Sequence, residues 1–131
     1  MISIIDYGMG NLGSVKRKLD RFGAASVITS DPNEIRQSDQ LILPGVGHFS
    51  NTVHELKTRG LWDILNNEVL VNKKPILGIC LGMQLIARHS KEGDANGFGW
   101  LDAEVVRFRI TDSLTYKIPH SAWNQVIVNK P

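Results

Sequence analysis

The chain alternates short runs of apolar, β-branched residues with segments that have helical periodicity. Three such runs are Ile2–Ile5, residues 25–29 and residues 41–43, and apolar side chains recur at helical spacing from Leu12 to Phe22. This alternation predicts right-handed βαβ units and therefore an α/β fold, with a flavodoxin-like parallel sheet flanked by helices. In such sheets, ligands bind beyond the carboxyl ends of the strands, where the loops after Ile5, Leu43 and Ile79 converge.

The remaining segments complete one domain over residues 1–131. Residues 50–59 and 61–71 have helical composition and are separated by Gly60, and Asp31-Pro32 is a helix start in which proline takes the first helical position. After Gly93 the pattern changes. Residues 103–110 and 117–128 predict the strands of a small antiparallel β appendage at the C-terminal end.

The only cysteine lies in the sequence Gly78-Ile79-Cys80-Leu81-Gly82. The apolar residues 75–79 predict a fully buried strand of a parallel sheet, and the residues after Cys80 favour a helix that runs to about His89. Glycines two residues before and two after the central residue allow a sharp strand-to-helix turn. Hydrolases place a serine nucleophile at the centre of such a turn, and here the residue is cysteine.

Two physical effects favour a nucleophilic Cys80. The free N–H groups and partial positive charge at a helix N-terminus stabilise a thiolate. The N–H of Leu81 is also placed to donate to an oxyanion that forms when the thiolate attacks a carbonyl. The alternative is a buried free cysteine that acts as a small hydrophobic residue. The flanking glycines and the strand-to-helix context favour the nucleophile.

Composition excludes several classes of protein. The 131 residues are 42% hydrophobic and 21% charged, which is ordinary for a soluble globular domain. The net charge of +2 is too small to indicate a nucleic-acid partner. No apolar run approaches the roughly 18 residues of a membrane span, and the start lacks a signal peptide. A single cysteine fits a reducing compartment, so a cytoplasmic location is expected. No cofactor and no metal site are expected.

Four motifs occur in order along the chain. They are Asp6-Tyr7-Gly8-Met9-Gly10-Asn11, Leu43-Pro44-Gly45-Val46-Gly47, Leu77-Gly78-Ile79-Cys80-Leu81-Gly82-Met83-Gln84 and Pro119-His120-x-x-Trp123-Asn124. Together they resemble the class I (triad) glutamine amidotransferases, and among these the glutaminase subunits of imidazole glycerol phosphate synthase. The resemblance covers essentially the whole length of the chain.

The resemblance implies roles for individual residues. Cys80 would attack the side-chain amide of glutamine, form a glutamyl thioester and release ammonia. Gly47 would supply a second oxyanion N–H beside that of Leu81, where glycine allows the backbone to approach the substrate closely. Gly45, Gly47 and Gln84 would bind glutamine. For Gln84 the alternative is an ordinary surface residue of a helix.

The resemblance also implies a partner and a fate for the ammonia. The glutaminases of this family dock on a (β/α)₈-barrel cyclase, and ammonia passes through the barrel to a nucleotide-derived substrate in histidine biosynthesis. Asn11, Pro119, Trp123 and Asn124 would line that interface. For Trp123 the alternative is a core tryptophan of the β appendage. Neither a nucleic acid nor a membrane is implied as a partner.

The chain departs from the family pattern in two places. The family's triad needs a histidine base and an orienting glutamate in a His-x-Glu arrangement, and none of His48, His54, His89 and His120 has an acid two residues later. His54 and His89 occupy expected helical positions and are expected to be solvated. We therefore expect the domain to be incomplete at its C-terminus and to lack glutaminase activity alone. Ser121-Ala122 replaces the usual methionine and glycine before Trp123, so a paralogous amidotransferase for surface-sugar amidation is an alternative.

Two further alternatives do not need glutaminase chemistry. A non-catalytic interaction module of flavodoxin-like shape would explain the absent base and acid, although it leaves the intact Cys80 turn unexplained. A cysteine hydrolase or thiol sensor of the same architecture would use another acid near Cys80. The reactivity of Cys80 toward iodoacetamide and toward glutamine analogues separates these possibilities.

Overall fold

A computed structural model describes residues 1–130 of the chain. The strands are β1 (Ile2–Ile5), β2 (Ser26–Thr29), β3 (Gln40–Gly45), β4 (Ile76–Cys80), β5 (Ala87–Ser90), β6 (Ala95–Asn96) and β7 (Leu101–Val105). The helices are α1 (Leu12–Arg21), α2 (Pro32–Gln37), α3 (Phe49–Thr58), α4 (Leu61–Asn66) and α5 (Leu81–Gln84). A wider π-helical turn, Asn67–Val71, continues α4, where the sequence predicts one uninterrupted helix.

The first four strands form one parallel sheet in the order β2-β1-β3-β4. Ile4 of β1 lies between Ile28 of β2 and Ile42 of β3, so that the three apolar runs are neighbours in the sheet. Each connection within the sheet carries at least one helix, as parallel strands require. The predicted α/β architecture is confirmed.

The predicted helix starts are confirmed by their capping hydrogen bonds. The side chain of Asn11 accepts from the N–H of Ser14 at 3.3 Å, and that of Asp31 accepts from the N–H of Asn33 at 2.6 Å. A side-chain oxygen at this position satisfies one of the N–H groups that the first helical turn leaves unpaired. The caps therefore fix where the two loops end and the helices begin.

The hydrophobic core lies where α3, α4 and α5 pack on the sheet. Its buried side chains are Ile5, Tyr7, Ile35, Leu41, Leu43, Phe49, Val53, Leu56, Leu61, Leu65, Leu81, Leu85 and Phe98. Trp62, Phe98 and Trp100 stack in sequence, with ring centroids 3.9 and 4.2 Å apart. These two tryptophans are packing residues. The core reaches directly under the residues that follow Cys80, because Leu81 and Leu85 belong to it.

The helix after Cys80 is shorter than predicted. The sequence favours a helix to about His89, whereas α5 ends at Gln84 and Ala87–Ser90 forms β5. The carbonyls of Leu85 and Ala87 accept from the N–H groups of Phe98 and Gly99, at 2.7 and 3.1 Å. Pairing with a later segment thus outweighs the local helix propensity of these residues.

The prediction that β4 is fully buried is also wrong. Strand β4 lies at the edge of the four-stranded sheet and has β3 as its single neighbour among the described residues. Leu77 is 57% exposed and Ile79 is 37% exposed. Apolar residues of an edge strand remain exposed wherever no helix covers that part of the sheet.

The β appendage differs from the prediction in both pairing and extent. It is a mixed sheet in the order β6-β5-β7, in which β5 pairs antiparallel with β6 and parallel with β7. Of the predicted strand at residues 103–110, only the part within Leu101–Val105 forms. Residues 117–128 form no strand, because a strand needs a partner and none lies beside them in the described chain.

The helices of residues 1–130 are all too short or too polar to cross a lipid bilayer.

Candidate functional site

Cys80 occupies a strained backbone position at the end of β4. Its φ is 55° and its ψ is −115°, a combination that L-residues rarely adopt and that glycine adopts readily. Strain of this kind costs about 1–3 kcal/mol and is concentrated at functional sites. The residue is exposed, so the prediction of a reachable cysteine is confirmed and the alternative of a buried hydrophobic cysteine is wrong.

The two glycines around Cys80 are required by close backbone contacts. A Cβ on Gly78 would lie 2.5 Å from the Cα of Met83, within the helix that the turn leads into. A Cβ on Gly82 would overlap the carbonyl oxygen of Leu43 in β3. The glycine spacing therefore allows α5 to fold back against both β4 and β3.

The loop after β3 lies beside this turn. Gly45 pairs with Cys80 in the sheet register, and a Cβ on Gly45 would lie 2.6 Å from the N atom of Gly82. Gly47 is exposed, with a φ of 104° that favours glycine. The predicted convergence of the loops after β3 and β4 is thus confirmed. Gly45 itself is buried, and backbone packing alone is sufficient to require glycine there.

The loop after β1 reaches the same edge of the sheet. The methyl carbon of Met9 lies 2.8 Å from the place that a Cβ on Gly47 would occupy. The sulfur of Met9 accepts from the hydroxyl of Thr52 in α3 at 3.8 Å. Met9 therefore fills the space between the Gly47 loop and α3. It is a neighbour of the site for which the sequence predicts no role.

Tyr7 connects the loop after β1 to the end of β3 beneath the surface. Its side chain is fully buried, and its hydroxyl donates to the carbonyl oxygen of Pro44 at 2.7 Å. Burial, which has the larger effect, and the nearby charge of an ionised Cys80 together raise the pKa of Tyr7 to about 12. Tyr7 therefore remains a neutral hydrogen-bond donor at and well above neutral pH.

The predicted oxyanion donors and substrate residues take the following places. Leu81 is the first residue of α5, so its N–H belongs to the helix end that has no intrahelical acceptor. Gln84 is the last residue of α5 and is half-buried. Gly47 follows two residues after Gly45, which pairs with Cys80, so the structure brings these groups to the same edge of the sheet as Cys80.

Three of the four histidines have a hydrogen-bond partner, and in each case the partner is a residue other than Cys80. His48 Nδ1 lies 3.0 Å from Ser50 Oγ, His54 Nε2 lies 3.4 Å from Thr58 Oγ1, and His89 Nε2 lies 3.0 Å from Asp94 Oδ1. Over residues 1–130, no histidine hydrogen bonds to the thiol. The prediction of an exposed helical His54 is confirmed, whereas His89 lies half-buried on a strand.

Glu92 is a further neighbour of the site that sequence reasoning missed. Its carboxylate accepts from the backbone N–H of Phe49 at 2.9 Å, and Phe49 begins α3 two residues after Gly47. An anion at a helix start satisfies the unpaired N–H groups and the helix dipole. The two residues are 43 positions apart, and no local sequence signal connects them.

The residues predicted to line a partner interface are exposed. Asn11 caps α1, whereas Pro119, Trp123 and Asn124 belong to residues 106–130, which contain no helix or strand. The side chain of Trp123 is fully exposed, so the alternative of a core tryptophan is wrong. Within the described residues, no three side chains of His, Cys, Asp or Glu are grouped as a metal site would require.

Replacing Cys80 with glycine is expected to stabilise the fold by about 1 kcal/mol, because glycine adopts the strained backbone angles without cost. The measurement is the free energy of unfolding in urea. Cys80→Ala is the matched control, since it also removes the thiol but keeps a Cβ. If the two variants unfold at the same urea concentration, the strain at this position is refuted.

Solved structures show where this architecture occurs. A structure described as "Crystal structure of glutamine amidotransferase" superposes with a TM-score of 0.67 and 19% identity, covering 79% of this chain and 54% of that one. A putative peptidase E protein from Listeria monocytogenes gives a TM-score of 0.54 at 16% identity, covering 67% of this chain and 50% of that one. At these identities the comparisons establish the fold alone.

Sequence relatives are much closer. The chain is 48% identical over 126 residues to imidazole glycerol phosphate synthase subunit HisH 2 of Methanococcus maripaludis, which covers 96% of this chain and 61% of the relative. It is 44% identical over 131 residues to subunit HisH 1 of Campylobacter jejuni, with 99% and 64% covered. The chain therefore spans less than two thirds of the length of these relatives.

The sequence profile described as "Glutamine amidotransferase class-I" matches residues 3–131, which is nearly the whole chain. The match includes the Cys80 turn and the loops after β1 and β3 that meet beside it. The chain belongs to the class-I glutamine amidotransferase family.

Proposed function

We propose that this chain carries the nucleophile of the glutaminase subunit of an imidazole glycerol phosphate synthase. The observation that carries the proposal is the exposed Cys80 at a strained strand-to-helix turn, with the Gly47 loop across from it. The relatives from Methanococcus and Campylobacter, both described as subunits of that synthase, support the choice of reaction.

In the proposed reaction, the Cys80 thiolate attacks the side-chain carboxamide carbon of glutamine. A C–S bond forms, and the negative charge that develops on the oxygen is stabilised by the N–H groups of Leu81 and Gly47. The C–N bond then breaks, and the nitrogen leaves as ammonia after it takes up a proton. Water hydrolyses the thioester to glutamate and regenerates the thiol.

Gln84, Gly47 and Gly45 are proposed to shape the glutamine site. Gln84 ends α5 only four residues after Cys80, and its half-buried amide can both donate to and accept from a bound amino acid. The exposed backbone of Gly47 offers an approach without a side chain. Gly45 contributes through the packing that places Gly47, because its own neighbours are Gly82 and Leu81.

A general acid–base pair is needed for turnover, both to protonate the leaving ammonia and to activate water. Because no histidine bonds to Cys80 within residues 1–130, we assign the family's His-x-Glu pair to residues other than these. Residues 1–131 would then be the nucleophile-bearing part of the domain. On its own, this polypeptide is expected to form the thioester without sustained release of ammonia from glutamine.

We infer that the ammonia is delivered to a (β/α)₈-barrel cyclase in a cytoplasmic heterodimer with lyase activity, and that no cofactor takes part. Asn11, Pro119, Trp123 and Asn124 are the residues assigned to that interface, and all four are exposed. Ser121-Ala122 beside Trp123 favours one second candidate, a paralogous amidotransferase for surface-sugar amidation with a different cyclase-like partner.

The test uses an activated substrate, L-glutamate γ-(4-nitrophenyl) ester, whose leaving group needs no protonation. We expect a burst of one nitrophenolate per chain and a mass increase of one glutamyl group on Cys80, because acylation requires only the nucleophile and the oxyanion donors. Cys80→Ser and Cys80→Ala are expected to give no burst. The D-enantiomer of the ester is expected to react much more slowly.

The same experiment separates the alternatives. A non-catalytic module would show no burst with either enantiomer. A thiol sensor would react with iodoacetamide but would not distinguish the L-ester from the D-ester. An equal burst in Cys80→Ala would show that another residue is acylated and would refute the proposed role of Cys80.

A further inference from the structure

The hydrogen bond from the Tyr7 hydroxyl to the Pro44 carbonyl is a buried contact that joins the loop after β1 to the end of β3. It is short, at 2.7 Å, and Tyr7 is fully shielded from solvent. The acceptor, the carbonyl of Pro44, belongs to the last peptide group before Gly45, where β3 ends and the chain turns toward Gly47. A donor at this point controls the orientation of that peptide plane.

We propose that Tyr7 is a positioning residue for the glutaminase reaction: its hydroxyl holds the Pro44 carbonyl and thereby fixes the direction in which Gly47 presents its N–H toward the oxyanion at Cys80. The inference rests on the proposed function. It adds a residue to which the family resemblance assigns no role, because within the Asp6–Asn11 motif that resemblance implies a role for Asn11 alone, at the partner interface.

The surrounding contacts make the orientation of this loop sensitive to one hydrogen bond. Gly45 and Gly47 have no side chains to anchor the segment, and Val46 between them is half-exposed. On one side the segment is limited by the backbone of Gly82, and on the other by the methyl group of Met9. The backbone of Gly45 pairs with Cys80 in β4, and the Tyr7 hydroxyl supplies the side-chain hydrogen bond that holds the Pro44 carbonyl.

Tyr7 is suited to this role because it does not change its protonation state. Burial and the neighbouring Cys80 raise its pKa to about 12, so the phenol keeps its proton while Cys80 changes between thiol and thiolate. The hydroxyl thus donates to Pro44 before and after the nucleophile ionises. A residue that ionised with Cys80 would lose this bond at the moment of attack.

The experiment compares Tyr7→Phe with the unmodified chain, using L-glutamate γ-(4-nitrophenyl) ester and iodoacetamide as separate probes of Cys80. Acylation by the ester forms an oxyanion, whereas alkylation by iodoacetamide does not. We expect Tyr7→Phe to slow the maximal acylation rate by about 10- to 100-fold, with the half-saturating ester concentration nearly unchanged. The iodoacetamide rate is expected to stay the same.

Two further variants serve as controls. Tyr116→Phe removes the hydroxyl of the other tyrosine, which is exposed, and is expected to leave both rates unchanged. Replacing Tyr7 with 4-aminophenylalanine restores a donor of similar length and is expected to recover most of the acylation rate. Circular dichroism and thermal unfolding establish that each variant is folded.

The outcomes distinguish this inference from the proposed function. If the unmodified chain gives no stereoselective burst, the proposed function fails. If it gives the burst and Tyr7→Phe matches it, or slows both probes equally, the positioning role is overturned while the proposed function stands. Loss of the fold in Tyr7→Phe and in the 4-aminophenylalanine variant would also overturn it, because the hydroxyl would then serve the fold.

Discussion

Replacing Gly82 with alanine is expected to lower the free energy of unfolding by about 3 kcal/mol or more, enough to leave little folded protein. The added Cβ would overlap the carbonyl oxygen of Leu43 and would lie 3.2 Å from the carbonyl carbon of Pro44. Both atoms belong to the backbone of β3, so no side-chain rotation can relieve the overlap. Urea unfolding followed by circular dichroism measures the effect.

A second glycine provides the matched control. Gly13 lies in α1, and a Cβ there would meet only the far end of the flexible Arg17 side chain, at 3.3 Å. Because alanine loses less backbone entropy on folding into a helix, Gly13→Ala is expected to stabilise the chain by about 0.5–1 kcal/mol. A Gly82→Ala protein as stable as Gly13→Ala would contradict the close packing of α5 on β3.

The case of Gly82 also shows which part of the site could be predicted from sequence. The spacing of Gly78, Cys80 and Gly82 predicts a sharp strand-to-helix turn with a reachable cysteine, and both are confirmed because the turn is a local property of consecutive residues. The physical reason for Gly82 is not local. It is a contact with β3, about 40 residues earlier in the chain, which sequence spacing alone cannot express.

The parallel sheet was predictable for a similar reason. Each β-branched run and each segment of helical periodicity can be recognised from a few neighbouring residues. The right-handedness of βαβ units then allows only a few arrangements of the strands. The end of α5 and the course of β5 depend instead on hydrogen bonds from Phe98 and Gly99. The carboxylate of Glu92 at the start of α3 depends on a contact of the same long-range kind.

Within residues 106–130, by contrast, the local sequence pattern predicts strands that do not form. Their apolar residues suggested strands, but propensity measures how well a side chain fits a half-buried, pleated surface, and no neighbouring strand supplies that surface here. Phe108, Trp123 and Val126 are all highly exposed. The strand predicted over residues 117–128, which would include the motif at residues 119–124, is therefore wrong.

Replacing Lys74 with methionine is expected to lower the free energy of unfolding by about 3–5 kcal/mol. The ammonium group of Lys74 lies 2.9 Å from the carboxylate of Glu68, and both side chains are buried. It also donates to the carbonyls of Ile35 and Arg36 at the end of α2, at 2.7 and 3.0 Å. Methionine keeps an unbranched side chain that is one atom shorter, but it leaves Glu68 charged and without its partner.

The neighbouring lysine is the control for this substitution. Lys73 is exposed and forms no ion pair in the described part of the chain, so Lys73→Met is expected to change stability by less than about 0.5 kcal/mol. A double variant, Glu68→Leu with Lys74→Met, removes both charges and is expected to recover much of the loss. Equal unfolding free energies for Lys73→Met and Lys74→Met would refute a structural role for the buried pair.

The pH dependence of the Lys74→Met deficit provides an independent check. Burial alone would raise the pKa of Glu68, but the hydrogen bonds from Lys74, Asn72 and Asn67 and the charge of Lys74 outweigh it, so the pKa lies below its ordinary value. A lowered folded-state pKa contributes stability that is present above the unfolded value and is lost as pH falls through the folded value. Without Lys74, the effect of burial is the largest one and the pKa of Glu68 rises. Protonation of Glu68 at lower pH then removes the buried charge and part of the destabilisation of the variant. The difference in unfolding free energy between the unmodified chain and Lys74→Met is therefore expected to become smaller from pH 7 to pH 4. A difference that stays constant would show that the lost contacts to α2, and not the buried carboxylate, account for the effect.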